Sequence, residues 1–149
     1  MNYRHSFHAG NFADIVKHAL LLWLLEWRQA QGAVSVIDTH AGAGLYDLTG
    51  DAARSREAEA GIARLMAADD RPPLIEALAA AVAQLNPDGR VTFYPGSPQL
   101  IAQRLGEDDR YVGFELNPPV LELLAGALEA FPQAMAEGGD GYGQARTWA

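Results

Sequence analysis

The feature that most constrains this chain is a short apolar segment that ends in an acid and continues into two alternating glycines. Ala33–Asp38 reads AVSVID, a β-branched stretch typical of a strand buried on both faces, as in a parallel sheet. Gly42 and Gly44 follow in the sequence DTHAGAG, where glycine lets the backbone turn tightly and approach a ligand closely. Turns of this kind also join strands to helices in proteins that bind no ligand there. A ligand-binding loop and an ordinary strand-to-helix turn therefore both stay open as interpretations.

Helical and strand patterns alternate along the rest of the chain, which predicts an α/β sheet. Asn11 and Asp14 resemble a helix cap with its reciprocal acid, and the apolar spacing after them predicts a helix to about Ala30. Further strands are predicted at 90–94, 111–115 and 134–140, and further helices at 57–68, 74–85, 99–105 and 117–131. Because ligands bind at the carboxyl ends of strands in such sheets, residues that follow the strands are the candidates for a site.

Two further acids stand at predicted strand ends. Glu115 closes the strand YVGFE, where a carboxylate can accept hydrogen bonds from both hydroxyls of a ribose. Asp140, followed by Gly141, closes the next strand and can accept a hydrogen bond from an adenine amino group. The alternative for Glu115 is a solvated acid at the end of a strand, and the alternative for Asp140 and Gly141 is an ordinary turn. Three acid-bearing strand ends in order favour a nucleotide-like ligand over unrelated turns.

All the histidines lie in the first 40 residues of the chain, at His5, His8, His18 and His40. A metal site is one interpretation, but no acidic partner pattern accompanies them. Histidines satisfied by structural hydrogen bonds are a second. The third is a polar lid for an anionic or aromatic ligand, because the aromatic residues of Tyr3–Asn11 can stack on bases.

Composition excludes several classes of protein. The 149 residues suit one domain, and 11 basic against 19 acidic residues give a net charge of −8, which excludes a strongly basic nucleic-acid module. Without cysteine there is no disulfide scaffold, cysteine zinc site or thiol nucleophile. The longest apolar run, Ala19–Leu25, is far shorter than a bilayer span of about 20 residues. We expect a soluble cytoplasmic protein with no membrane partner.

Several motifs occur in a characteristic order: YRHSFHAGNFADIVKH, DTHAGAG, YPGSP, GFELNP and GDG. Together they resemble the RlmJ-type 23S ribosomal RNA adenine-N6 methyltransferases, a family also described as needed for the use of external DNA as a nutrient. The D-x-x-x-G-x-G spacing is that of class I S-adenosylmethionine methyltransferases. The resemblance implies a Rossmann-like sheet with a helical insertion after the first strand. The corresponding segments are 1–49 with the first strand and loop, 50–90 as the insertion, and 91–149 as the continuing sheet domain.

The resemblance also implies which residues meet the cofactor, S-adenosyl-L-methionine, and which meet the 23S rRNA. The residues implied for the cofactor are His18, His40, Gly42, Gly44, Ser97, Glu115 for the ribose, and Asp140 with Gly141 for the adenine. Those implied or considered for the RNA are Tyr3, which matches a tyrosine of the family's N-terminal tail, and its neighbours Arg4 and Lys17. No residue is assigned to a metal.

The family's catalytic motif, Asp-Pro-Pro-Tyr, does not occur in these 149 residues. In the family its carboxylate engages the adenine amine and its tyrosine stacks on the base; Pro72–Pro73 and Asn117–Val120 lack these groups. We therefore expect the N-terminal half of the fold, truncated before the motif, which keeps much of the cofactor site and does not methylate alone. The alternatives are a non-catalytic module that binds the cofactor or a nucleotide, and a protein for the use of external DNA.

Overall fold

Helices and strands alternate along residues 5–148, the part of the chain that the computed structural model describes, apart from the side chains of His5 and Asp51. A 3-10 turn at His5–Phe7 precedes helix α1 (Phe12–Gln29) and strand β1 (Ser35–Asp38). Next come β2 (Leu45–Asp47), α2 (Asp51–Ser55), a π-helical turn (Glu59–Ala63), α3 (Arg64–Met66) and α4 (Pro73–Leu85). The remaining elements are β3 (Phe93–Pro95), α5 (Ser97–Ala102), β4 (Arg110–Glu115), α6 (Pro118–Leu128), β5 (Ala134–Gly138) and α7 (Gly141–Trp148).

The strands form two sheets. In the first, β1, β4 and β5 are parallel in the order β1-β4-β5, with Asp38 opposite Gly113 and Glu115 opposite Gly138. The second pairs β2 with β3. The central strand β4 is buried from Tyr111 to Phe114, whereas β1 and β5 are only partly covered. A parallel sheet whose successive strands lie side by side in this order confirms the predicted α/β, Rossmann-like class.

The chain divides into two compact units. The first combines the described part of Met1–Leu24 with Tyr46–Pro95, and the second combines Leu25–Leu45 with the described part of Gly96–Ala149. The first buries Ile15, Leu22, Ile62, Leu78, Val82 and Tyr94, and the second buries Leu100, Val112, Phe114, Leu124 and Leu128. The predicted insertion at 50–90 falls inside the first unit. That residues 50–90 form a separate subdomain, flanked by segments 1–49 and 91–149, stays a prediction.

Helix α1 begins where the sequence predicts, because a cap holds its first turn. The Asp14 backbone N–H donates to Asn11 Oδ1 at 3.0 Å, as the spacing requires. The buried Asp14 carboxylate in turn accepts hydrogen bonds from the Gly10 N–H at 3.1 Å and from Lys17 Nζ at 2.7 Å. The side chain of Asp14 thus hydrogen-bonds back to the residue before the cap.

No helix within residues 5–148 combines the length and apolar character needed to cross a membrane.

The segment predicted as a helix at 57–68 is helical over most of its length, but the π-helical turn interrupts it, so the prediction of one continuous helix was wrong. Gly61, with φ −96° and ψ −105°, leaves the helical region. A Cβ at this position would collide with the Gly10 carbonyl oxygen, and the Ile62 N–H donates to that oxygen at 2.9 Å. Gly10 itself has φ +77°, and a Cβ there would lie 2.8 Å from the Ile62 side chain. Direct contact between two backbones overrides the helical spacing of the apolar residues.

A buried carboxylate, Asp109, joins the amino-terminal ends of the parallel strands. It accepts hydrogen bonds from the Val34 N–H at 2.7 Å, the Gly106 N–H at 2.8 Å and Gln29 Nε2 at 2.6 Å. These donors lie at the end of α1, just before β1 and in the turn before β4. The Val34 and Gly106 amides, followed by Gln29, hold the pKa of Asp109 below its usual value of 3.8.

We expect Asp109→Asn to destabilise the protein by about 2 kcal/mol at neutral pH. The hydrogen bonds that the carboxylate accepts lose their charged acceptor, and one of the N–H donors then faces the NH2 group of the asparagine, which cannot accept a hydrogen bond. Since folding lowers the pKa of Asp109, its stabilisation is present above about pH 4 and is lost as the pH falls through the folded-state pKa. Thermal unfolding from pH 7 to 2 measures this difference. Asp108→Asn, at an exposed neighbour, is the control. A pH-independent difference would contradict the assignment.

Candidate functional site

The carboxyl ends of β1, β4 and β5 meet at one edge of the parallel sheet, and each is followed or closed by a predicted acid. Asp38 closes β1, Glu115 closes β4, and Asp140 lies two residues after β5. The loops are fastened to the central strand, because the Ala41 N–H donates to the Phe114 carbonyl at 3.0 Å. The Gly139 N–H donates to the Glu115 carbonyl at 3.1 Å. The structure therefore brings these three sequence-predicted acids to one edge.

The loop after β1 uses its two glycines in different ways. Gly42 and Gly44 have φ values of +69° and +77°, a region that residues with a side chain rarely adopt. Gly44 is buried, and a Cβ there would lie 3.0 Å from the Ala127 Cβ of α6. Gly44 thus allows α6 to pack closely, while the half-buried Gly42 turns the backbone. Contact of either glycine with a cofactor stays a prediction.

Both carboxylate oxygens of Asp38 are engaged by the chain itself. Oδ1 accepts a hydrogen bond from the His40 N–H at 3.1 Å. Oδ2 accepts from Ser97 Oγ at 3.3 Å and from the Tyr111 hydroxyl at 3.2 Å. Ser97, predicted as a cofactor contact, therefore meets the acid of the loop. Tyr111 was not predicted; the signal that could have found it is the glycine two residues later on the same strand face.

The loops after β1 and β5 touch each other. Gly141 is buried, and a Cβ there would collide with the Thr39 carbonyl oxygen and lie 2.6 Å from the Thr39 Cα. The exposed His40 ring meets the Tyr142 ring edge-on, with centroids 4.8 Å apart. Asp140 Oδ1 accepts a hydrogen bond from the Tyr142 N–H at 3.2 Å, at the start of α7, and the residue is exposed.

Glu115 has one carboxylate oxygen that is free to accept further hydrogen bonds. Its Oε1 accepts from the Asn117 N–H at 2.8 Å, which fixes the carboxylate at the start of α6. Within residues 5–148, no donor bonds to Oε2. A half-buried carboxylate with one oxygen held by the backbone and the other open can accept from a ligand hydroxyl.

Other predicted residues belong to the first unit. His18 is 1% exposed, its Nδ1 lies 2.7 Å from the Tyr94 hydroxyl oxygen, and the two rings stack at 5.5 Å. Burial, with the negative charge of Asp14, raises the pKa of Tyr94 far above its usual value, so its hydroxyl stays protonated. Lys17 pairs with Asp14. Tyr3 and Arg4 lie outside the described residues. The contacts predicted for His18 and these residues stay predictions.

The His8 ring hydrogen-bonds to an acid of the following segment. Its Nδ1 lies 3.0 Å from both carboxylate oxygens of Glu57, and Asn11 Nδ2 donates to Glu57 Oε2 at 3.0 Å. The Asn11 amide and then His8 hold the pKa of Glu57 below its usual value. Among the residues that the structure describes, no group of three or more histidines or acids could hold a metal ion.

The comparisons with known proteins decide the family. A family model described as "Ribosomal RNA large subunit methyltransferase D, RlmJ" matches residues 31–149. This chain belongs to the RlmJ family. The curated "Ribosomal RNA large subunit methyltransferase J" of Escherichia coli is 38% identical over 146 residues, which are 97% of this chain and 52% of the relative. The protein of the same name from Haemophilus influenzae is 36% identical over 121 residues, 79% of this chain and 43% of the relative.

A solved structure supports the same fold. The crystal structure of a Legionella pneumophila protein superposes with a TM-score of 0.85 at 28% sequence identity, and the match covers 94% of this chain and 52% of that one. This RlmJ-family chain thus spans about half the length of the curated relatives and of the solved neighbour that it matches.

We expect Gly141→Ala to destabilise the protein by about 1–3 kcal/mol, because the new methyl group would overlap the Thr39 backbone. Gly126→Ala in α6 is the matched control, since a Cβ there meets nothing within 4 Å. The control should stabilise the helix by about 0.5–1 kcal/mol. Urea unfolding of both variants measures the difference. Equal effects would show that the two loops do not pack as described.

Proposed function

We propose that this chain binds S-adenosyl-L-methionine at the carboxyl edge of the β1-β4-β5 sheet, as the cofactor-binding part of an RlmJ-type ribosomal RNA methyltransferase. The observation that carries the proposal is the edge itself. Asp38 and Glu115 close two of the parallel strands and Asp140 lies two residues after the third, and the loops after β1 and β5 are hydrogen-bonded to β4. Membership of the family supports it, and so do the names of the curated relatives.

The residues at this edge fit the chemistry of the cofactor. Its ribose offers two hydroxyl donors, and Glu115 presents an oxygen that accepts no hydrogen bond from residues 5–148. Its adenine offers an amino group, for which the exposed Asp140 is an acceptor. The positive φ of Gly42 turns the loop after β1 at this edge, and the buried Gly141 lets the loops after β1 and β5 pack together there. When bound, the cofactor supplies a methyl group on a positively charged sulfur.

The finer proposal is that the methyl group goes to the exocyclic N6 of an adenine in 23S rRNA. Displacement at the methyl carbon is in line, so such an enzyme works mainly by positioning its two substrates. The target adenine has to leave its stack before it can react. We propose that Tyr3, Arg4 and Lys17 contact the RNA substrate and that the protein acts in the cytoplasm.

The net charge of −8 predicts that this chain alone binds RNA weakly, since phosphate contacts from Lys and Arg dominate such affinity. Asp-Pro-Pro-Tyr, the motif that would engage the adenine amine, does not occur in the 149 residues. We therefore propose that this chain holds the cofactor and does not by itself complete methyl transfer.

We expect isothermal calorimetry to show saturable binding of S-adenosyl-L-methionine to the 149-residue chain. Glu115→Ala should weaken the affinity about 10- to 100-fold, the loss expected for hydrogen bonds to a charged acceptor. Glu129→Ala, at an exposed acid after α6, is the control and should leave the affinity unchanged. A folded chain that does not bind the cofactor would overturn the proposed function.

Methyl transfer is tested with unmodified 23S rRNA and cofactor carrying a radioactive methyl group. The expected result is no incorporation above background by this chain, because no group in it is assigned to receive the adenine amine. The Escherichia coli relative serves as the positive control. Sustained turnover by the 149-residue chain would contradict the prediction and would place the catalytic group within these residues.

A further inference from the structure

Tyr111 reaches along its own strand to the carboxyl edge of the sheet. In the register of the parallel pair Tyr111 lies opposite Val36, and Asp38 lies opposite Gly113, yet the Tyr111 hydroxyl donates to Asp38 Oδ2 at 3.2 Å. Tyr111 and Gly113 share a face of β4, since alternate residues of a strand point the same way. The ring therefore lies over Gly113 on its way to Asp38.

Gly113 leaves the space that this path needs. A Cβ at Gly113 would lie 2.6 Å from the Tyr111 hydroxyl oxygen and 2.9 Å from the Ala41 Cβ. The φ of Gly113 is not positive, so its backbone conformation does not require glycine. Because Gly113 has no side chain, the Tyr111 ring can pass over it and Ala41 of the loop after β1 can pack beside it.

The carboxylate that Tyr111 meets also orders the loop. Asp38 Oδ2 accepts from Tyr111 in β4 and from Ser97 in α5, and Oδ1 accepts from the His40 N–H. Both hydroxyl contacts are longer than the usual 2.7–2.8 Å for O–H···O bonds, so each constrains the carboxylate modestly and the pair constrains it together. One acid thereby joins three separate parts of the second unit.

We propose that Tyr111 is a positioning residue of the cofactor site: with Ser97 it fixes the Asp38 carboxylate, which in turn holds the 38–44 loop in the conformation that binds the cofactor. The inference rests on the proposed function, because it concerns the same loop. Tyr111 itself is 2% exposed, so we assign it no direct contact with the cofactor. Its hydroxyl acts through Asp38.

The first test uses the unliganded 149-residue chain. Tyr111→Phe removes the hydroxyl and keeps the ring. We expect backbone hydrogen exchange in the 39–44 segment to rise about 3- to 10-fold, the factor that corresponds to one modest hydrogen bond, while exchange in α4 and β4 stays unchanged. Tyr94→Phe removes the hydroxyl of another buried tyrosine, in β3, which bonds to His18, and should leave the 39–44 segment unchanged.

The second test measures binding of S-adenosyl-L-methionine by calorimetry. Tyr111→Phe should weaken the affinity about 3- to 10-fold, with little change in the thermal midpoint of the unliganded chain. The double variant of Asp38→Asn and Tyr111→Phe should bind no more weakly than Asp38→Asn alone, because both changes act on one group. A purely structural tyrosine would instead lower the thermal midpoint and leave the affinity of the folded chain unchanged.

The outcomes separate this inference from the proposed function. If the unsubstituted chain does not bind the cofactor but Tyr111→Phe still loosens the 39–44 segment alone, the proposed function fails and the positioning of the loop stands. If the chain binds and Tyr111→Phe changes neither exchange nor affinity, the inference is overturned. Additive effects of the two substitutions would also overturn it, since they would show that Tyr111 acts independently of Asp38.

Discussion

The parallel pairing of β4 with a neighbour on each side is the constraint on which the candidate site depends. Because all three strands run in one direction, their carboxyl ends share an edge, and residues far apart in the chain are delivered there together. The pairing continues past the strands, since Ala41 and Gly139 donate from the two neighbouring loops to carbonyls of β4. Side-chain chemistry at this edge is thus placed by backbone hydrogen bonds.

The carboxylates of the second unit differ in how many hydrogen-bond donors surround them. This difference distinguishes carboxylates that hold the backbone in place from those that can bind a ligand. Asp109, at the amino ends of the strands, accepts three hydrogen bonds from the chain, and Asp38 also accepts three. Glu115 accepts one. A charge already surrounded by donors organises the backbone and has little left for a ligand. Capacity for new hydrogen bonds is therefore concentrated at Glu115 and at the exposed Asp140.

Features set by short-range chemistry could be predicted from the sequence, and features set by distant contacts could not. The Asn11 cap, the run AVSVID and the prolines after Asn117 each specify an element locally, and the structure has α1, β1 and α6 there. Helix α7 was missed because Gly141 and Gly143 lie in its first turn, and glycine disfavours helices. The interruption at Gly61 depends on Gly10, which no periodicity in the 57–68 segment reveals.

The same limit applies to the candidate site. The acids and glycines could be found because strand ends and glycine spacing are visible in one segment at a time. Tyr111 was harder to find: the glycine two residues later indicates space on that face of the strand, but only the register that sets Gly113 beside Asp38 links the tyrosine to the loop. In YVGFE the tyrosine has the pattern of an ordinary core residue, and it is one by burial. Its hydroxyl, which reaches over the glycine to Asp38, connects it to the loop.

The contact between Gly10 and Gly61 has a consequence for how the N-terminal segment of this chain is held. The contact joins main chain to main chain, and what it demands of the sequence is the lack of a side chain at two positions. Ile62 also takes part, because its side chain fills the space that a Cβ on Gly10 would need. The segment that carries the histidines and aromatics is therefore anchored at Gly10 through main-chain atoms, at a point that does not depend on which aromatic or histidine side chains precede it.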